Sequence, residues 1–185
     1  MRSAVNRIVP CVLELGGKSA GIIFPDADLE NAASNIIAGI FENSGQVCDS
    51  MSRIVVHQDV HDDLMDILAA RVSKFSVGPG IDDNDITPLV SQAQLDRVAN
   101  YALIGTQEGA RAVVGGRRHE GLPGYYMQPT IFTDVTPDMR INREEIFGPV
   151  LTTLKFRTAS EAVAIANGTD FGLAAGIFTG DLDHA

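Results

Sequence analysis

Segments with helical spacing alternate with short apolar runs along this chain, and this alternation constrains the fold more than any other feature. Apolar side chains between residues 29 and 41 recur at intervals of three and four, which predicts a helix with one buried face. Asp26 or Asp28 can cap its first turn. Because strands that alternate with helices form layered domains, we predict an α/β fold, with a largely parallel sheet flanked by helices. The other predicted helices are 60–75, 91–107 and 160–165, the last capped by Ser160, and the predicted strands are 8–15, 53–57, 112–114, 126–132 and 150–156.

The first apolar run, from Ile8 to Leu15, predicts a buried strand that ends at a Gly-Gly pair. Cys11 lies inside this run, and we interpret it as an inert core cysteine. Glu14 is unusual there, because a buried carboxylate must be paired, solvated at a site, or protonated. Burial would favour its neutral form, the direction that suits a general base. An ordinary ion pair, or a strand end that faces water, would explain Glu14 equally well.

Composition excludes several classes of protein. The chain has 185 residues, which fits one domain, with 24 acidic and 14 basic residues and a formal net charge of −10. No basic cluster exceeds two residues, so we expect no binding to nucleic acid. No apolar run is long enough to cross a membrane or to form a signal peptide. The two cysteines predict no disulfide framework and a cytoplasmic setting, and the spacing of the four histidines predicts no metal site.

Cys48 has a different setting from Cys11. It follows Ser44-Gly45-Gln46-Val47 and precedes Asp49-Ser50, at the turn between a predicted helix and a predicted strand. A polar turn that contains glycine exposes a thiol and lets backbone N–H groups point at one place, as a nucleophile and an oxyanion site require. An inert cysteine remains the alternative on this local pattern alone.

Three motifs carry a resemblance to a known family. Glu14-Leu15-Gly16-Gly17-Lys18-Ser19 resembles the glutamate signature of aldehyde dehydrogenases. Gly45-Gln46-Val47-Cys48, followed by Ser52-Arg53, resembles the cysteine signature of that family, and Glu145-Ile146-Phe147-Gly148-Pro149-Val150 resembles its third motif. All three occur in the order and at the separations of the family. Further similar segments are 26–29, 124–130 and 167–178.

The resemblance implies a reaction and roles for these residues. Cys48 would be the nucleophile that attacks an aldehyde, and Glu14 would be the base that activates water to hydrolyse the resulting thioester. The presence of this glutamate favours hydrolysis over transfer to coenzyme A. The cofactor would be NAD or NADP, with Glu145 bound to the nicotinamide ribose and Phe147 packed near the nicotinamide. Leu15 and Gly16 would line the same pocket, and Arg53 would tie down the loop rather than contact substrate.

The resemblance also implies what residues 1–185 do not contain. Enzymes of the family are longer, and a Rossmann-like domain upstream binds the adenosine end of the cofactor. No G-x-G-x-x-G pattern replaces it here. We therefore expect one partial catalytic domain, truncated at both ends, of an enzyme that oxidises a small-molecule aldehyde and assembles as a homo-oligomer. The alternative is a catalytically incomplete binding or structural remnant with at most weak esterase activity that needs no cofactor.

Overall fold

A six-stranded sheet forms the centre of the protein in a computed structural model that describes residues 2–184. The strand order is β3-β4-β5-β2-β1-β6, and every neighbouring pair is parallel except the antiparallel pair β3–β4. The predicted α/β fold with a largely parallel sheet is confirmed. The strands are β1 (Ala20–Ile23), β2 (Arg53–His57), β3 (Arg111–Val114), β4 (Thr130–Thr133), β5 (Val150–Phe156) and β6 (Ala175–Phe178).

Helices cover both faces of this sheet. On one face, the two helices after β1 and β2 pack on apolar residues such as Ile23, Ile54 and Val56. On the other face, the last long helix packs on Ile22 and Val55. Neighbouring strand residues point to opposite faces, so each central strand feeds both cores. The helices are α1 (Arg2–Val5), α2 (Leu29–Phe41), α3 (Gln58–Val72), α4 (Gln92–Glu108), α5 (Arg140–Arg143) and α6 (Ala159–Ala166), and short 3₁₀ turns cover Glu42–Gly45, Gly80–Asp82 and Leu182–His184.

The starts of the helices show which caps the chain uses. Asp28, rather than Asp26, caps α2 by accepting a hydrogen bond from the Asn31 amide at 3.0 Å. Ser91, which the sequence predicts as the start of the third helix, is the N-cap of α4, which begins at Gln92. The prediction that Ser160 caps the last helix is wrong. Thr158 caps this helix, because its hydroxyl accepts a hydrogen bond from the Glu161 backbone amide at 3.2 Å. The helix α6 then begins at Ala159.

The segment from Ile8 to Leu15 is not the buried strand that its composition predicts. It has no regular secondary structure, and its apolar side chains face outward, with Val12 88% exposed. The strand at this place in the fold is β1, which begins only at Ala20. The predicted strand 126–132 is likewise shorter, because regular pairing begins at Thr130.

Glycine explains why β1 and β6 escape prediction. Each strand begins with Ala-Gly, a weak strand signal. Met51 packs across both glycines, and a Cβ at Gly21 would lie 2.6 Å from its sulfur, while one at Gly176 would lie 2.9 Å from its methyl group. A side chain at either position would therefore have to displace the end of the Met51 side chain. Among residues 2–184, no helix is long and apolar enough to cross a membrane.

Candidate active site

The three sequence motifs meet at one edge of the sheet. Residues 14–19 lead into β1, residues 45–53 lead into β2, and residues 145–150 lead into β5. These strands are parallel and adjacent in the order β5-β2-β1, so their amino ends share an edge. Ligands of open α/β sheets usually bind at the carboxyl ends of strands. Here the polar motifs gather at the opposite edge, which makes that edge the candidate site.

Gly17 is the residue at which the motifs come into contact. Its backbone N–H donates a hydrogen bond to Glu145 Oε1 at 3.1 Å, across 128 residues of sequence. A side chain at Gly17 would overlap with the carbonyl oxygen of Cys48, and one at Gly16 would lie 2.7 Å from Glu145 Oε2. The paired glycines therefore let the backbone approach the cysteine turn and the glutamate closely.

The turn before Cys48 is tightly held. Asn43 and Ser44 have left-handed backbone angles, with φ of 47° and 55°. The Ser44 hydroxyl donates to the Thr87 carbonyl at 2.8 Å, and the Asn43 side chain donates to the Gln46 carbonyl at 3.1 Å. Such strained turns persist where surrounding contacts fix them, and they concentrate at functional sites. The turn presents Cys48 exposed, as its sequence context predicts.

The structure corrects the interpretation of Cys11. Cys11 lies in the exposed segment 8–15 rather than in a core, and both cysteines are free and exposed. Accessibility therefore does not distinguish the two thiols. What distinguishes Cys48 is its place at the amino edge of the sheet, beside Gly17.

Glu14 is also exposed, so the burial that would favour its neutral form is absent in this structure. Its carboxylate faces water, as one alternative from the sequence had it. Glu14 precedes Gly17, whose backbone approaches the Cys48 carbonyl, by three residues along the chain.

Two residues of α4 hold the third motif and were missed by the sequence analysis. The side-chain amide of Gln94 donates hydrogen bonds to the backbone carbonyl of Phe147 at 2.6 Å and to that of Ile146 at 3.2 Å. The Arg97 guanidinium donates to the carbonyls of Glu145 and Ile146. Phe147 is half-buried and has a φ of 61°, a region that an aromatic residue rarely adopts, so these donors stabilise a strained turn. Their i, i+3 spacing on a predicted helix was the only signal in the sequence.

A buried pair of cations lies beneath the glycine segment. Lys18 and Arg53 are 2% and 1% exposed. The Lys18 ammonium nitrogen has no hydrogen-bond partner within the part of the chain that the structure describes. Burial, followed by repulsion from Arg53, lowers the pKa of Lys18 to about 7. Lys18 lines an open cleft of about 310 Å³, together with residues 171–175 ahead of β6.

Comparison with known proteins places this architecture in a family. The model of the aldehyde dehydrogenase family matches residues 1–185, and the chain belongs to that family. An aldehyde dehydrogenase from Aspergillus niger is 48% identical over 184 residues, which cover 99% of this chain and 37% of the relative. A betaine aldehyde dehydrogenase from Brucella anthropi is 43% identical over 190 residues, with 98% of this chain and 38% of the relative covered.

Solved structures agree with the fold. The NAD-dependent aldehyde dehydrogenase from Sinorhizobium meliloti superposes with a TM-score of 0.92 at 44% identity, over 100% of this chain and 37% of that one. The NAD⁺ complex of the aldehyde dehydrogenase from Bacillus cereus superposes with a TM-score of 0.91 at 42% identity, over 98% of this chain and 37% of that one. The chain thus spans little more than a third of the length of the relatives that it matches.

Proposed function

We propose that this chain carries the catalytic part of an enzyme that oxidises an aldehyde to a carboxylate with NAD or NADP. The observation that supports this most is the convergence at Gly17, where the glutamate motif contacts both the Cys48 carbonyl and the Glu145 carboxylate. Membership in the aldehyde dehydrogenase family supports this reaction class. We expect the substrate to be a small aldehyde, since relatives include enzymes named for betaine aldehyde.

In the proposed reaction, Cys48 acts as a covalent nucleophile. Its thiolate attacks the aldehyde carbon, a C–S bond forms, and the carbonyl oxygen becomes an oxyanion beside the Cys48 backbone N–H. The hydride on the former aldehyde carbon would pass to the NAD or NADP bound beside it, and the carbon–oxygen double bond re-forms to leave a thioester on Cys48. Water, with one proton taken by Glu14, then attacks the thioester carbon. The C–S bond breaks, the thiolate is regenerated, and the carboxylic acid that forms releases its remaining proton to solvent and leaves as a carboxylate.

The residues at the amino edge suit the nicotinamide end of a dinucleotide. Glu145 uses Oε1 to accept from Gly17, while Oε2 faces Gly16, where the absent Cβ leaves room beside the carboxylate. A carboxylate is a suitable acceptor for ribose hydroxyls. Phe147, Leu15 and Gly16 would complete the pocket. The nicotinamide, when bound, supplies a hydride acceptor, and we expect a Rossmann-like domain outside residues 1–185 to hold the adenosine end.

A covalent adduct on Cys48 tests this proposal. Protein incubated with NAD and a simple aliphatic aldehyde, then quenched in acid, is expected to carry the mass of one acyl group on the peptide that contains Cys48. Peptide mass spectrometry locates the adduct. The Cys11→Ser variant is the matched control and is expected to be acylated like the wild type. Acylation on Cys11 instead, or acylation that persists in Cys48→Ser, would contradict the assignment of the nucleophile.

The remaining expectations about the whole protein stay predictions. We expect the enzyme to be a homo-oligomer and to work in the cytoplasm. Within the part of the chain that the structure describes, no group of three or more His, Cys, Asp or Glu side chains could hold a metal ion.

A further inference from the structure

Arg53 is a buried charged residue to which the proposed reaction gives no task. It lies five residues after Cys48, at the first position of β2, and its side chain is 1% exposed. Its guanidinium donates three hydrogen bonds, all to backbone carbonyls: Nε to Lys18 at 2.9 Å, and its two terminal nitrogens to Ile165, at 3.0 Å, and to Ala166. Arg53 therefore joins the glycine segment, the cysteine strand and the end of α6.

We infer that Arg53 is a positioning residue that fixes the direction of the Gly17 N–H toward Glu145, and thereby shapes the nicotinamide side of the site. This inference rests on the proposed function for its consequence, but the contact itself is a property of the chain. Arg53 holds the Lys18 carbonyl, and Glu145 accepts from the Gly17 N–H. Along the backbone, only the peptide unit between Gly17 and Lys18 separates these two groups.

Glycine makes such a tether necessary. Gly16 and Gly17 lack side chains, so their backbone angles are freer than those of any other residue pair. A flexible segment keeps its N–H in one orientation only if contacts with neighbouring atoms restrain it. Gly17 is held on one side by the Glu145 carboxylate and, through Lys18, on the other side by Arg53. Both restraints belong to groups outside the motif that contains the glycines.

The chemistry of arginine suits this task better than that of lysine. The planar guanidinium presents donors in a rigid fork and stays charged when it is buried. Two of the three acceptors are the last carbonyls of α6, where the helix dipole favours a cation. An ammonium group at the same place could not reach all three carbonyls in this geometry. Arg53→Lys therefore removes the fork of donors that forms the tether and keeps a long side chain at this position.

The test measures binding of reduced nicotinamide mononucleotide, which represents only the end of the cofactor that this site would hold. Each of Arg53→Lys and Glu145→Gln is expected to weaken binding about tenfold, the effect of losing a hydrogen bond to a charged group. The double variant is expected to bind no more weakly than the weaker single variant, because both act on one contact. Arg71→Lys, which alters an exposed ion pair with Glu30, is the matched control.

A second measurement does not depend on any ligand. The amide proton of Gly17, followed by ¹⁵N–¹H NMR, is expected to shift upfield in Glu145→Gln, and to shift in the same direction in Arg53→Lys. Arg53→Gln, which keeps two N–H donors and removes the buried charge, covers the case in which Arg53→Lys does not fold. If Arg53 had a purely structural role, its substitution would lower thermal stability and leave the Gly17 resonance unchanged. The losses of binding caused by Arg53→Lys and Glu145→Gln would then be additive.

The outcomes separate the inference from the proposed function. Additive losses in the double variant, or an unchanged Gly17 resonance in the Arg53 variants, would overturn the inference. If the wild type does not bind the mononucleotide, while Gly17 shifts in both variants, the proposed cofactor pocket fails and the positioning role stands.

Discussion

Glu14→Gln is expected to lower the rate of thioester hydrolysis by about 10²–10⁴-fold, the usual contribution of a general base. The amide cannot accept a proton from water, whereas the Cys48 thiolate can still attack an acyl donor. Acylated Cys48 should therefore accumulate. Hydrolysis of an activated thiol or phenol ester, with the acyl-enzyme quantified by intact mass, measures both effects without a cofactor.

Glu120→Gln is the matched control for this substitution, since Glu120 is exposed in a loop far from the three motifs along the chain. It is expected to hydrolyse esters like the wild type. Because Glu14 is exposed, water reaches it directly. Unchanged deacylation in Glu14→Gln would remove Glu14 from the mechanism.

Lys18→Met is expected to stabilise the protein below pH 7 and to flatten the dependence of its stability on pH above that value. Burial lowers the pKa of Lys18 from 10.5 to about 7, so the unfolded chain binds more protons than the folded protein between these values. The free energy of unfolding of the wild type therefore rises with pH across this window, by on the order of 5 kcal/mol from this group. Below pH 7 the cost of burying the ammonium is fully present.

Denaturant unfolding of wild type and variant, at pH values spaced about one unit apart between 6 and 10.5, gives the free energy of unfolding of each protein as a function of pH. Lys74→Met is the control, because Lys74 is exposed at the end of α3, and its curve should run parallel to that of the wild type. A Lys18→Met curve with the same slope as the wild type would mean that Lys18 is charged and paired in the folded protein.

Much of the fold follows from periodicity. The spacing of apolar residues in α2, α3 and α4 places those helices within a few residues, and the β-branched run of β2 and the apolar run of β5 are evident. The N-terminal apolar run is misleading, because hydrophobicity alone does not say whether a segment is covered by other parts of the fold. β1 and β6 are hidden for the opposite reason, since each begins with Ala-Gly, where a strand that is easy to predict would show bulky residues.

The sequence likewise predicts some parts of the candidate site and not others. Cys48, Glu14 and Glu145 are predicted from three motifs in register, and the convergence of those motifs on the amino ends of β1, β2 and β5 follows once the strands are known to be parallel. The supporting contacts do not follow. Gln94 and Arg97 bind backbone carbonyls roughly 50 residues away. Because every residue has a backbone carbonyl, the sequence does not indicate which of them accepts these hydrogen bonds.

The central claim is that Cys48 forms the covalent intermediate of an aldehyde oxidation, and absorbance in the reduced-nicotinamide band tests it most directly. Protein is mixed with NAD and a simple aliphatic aldehyde, in parallel with Cys48→Ser and with the matched Cys11→Ser. The account predicts that any absorbance produced by the wild type persists in Cys11→Ser and vanishes in Cys48→Ser. Equal production of reduced nicotinamide by wild type and Cys48→Ser would contradict it.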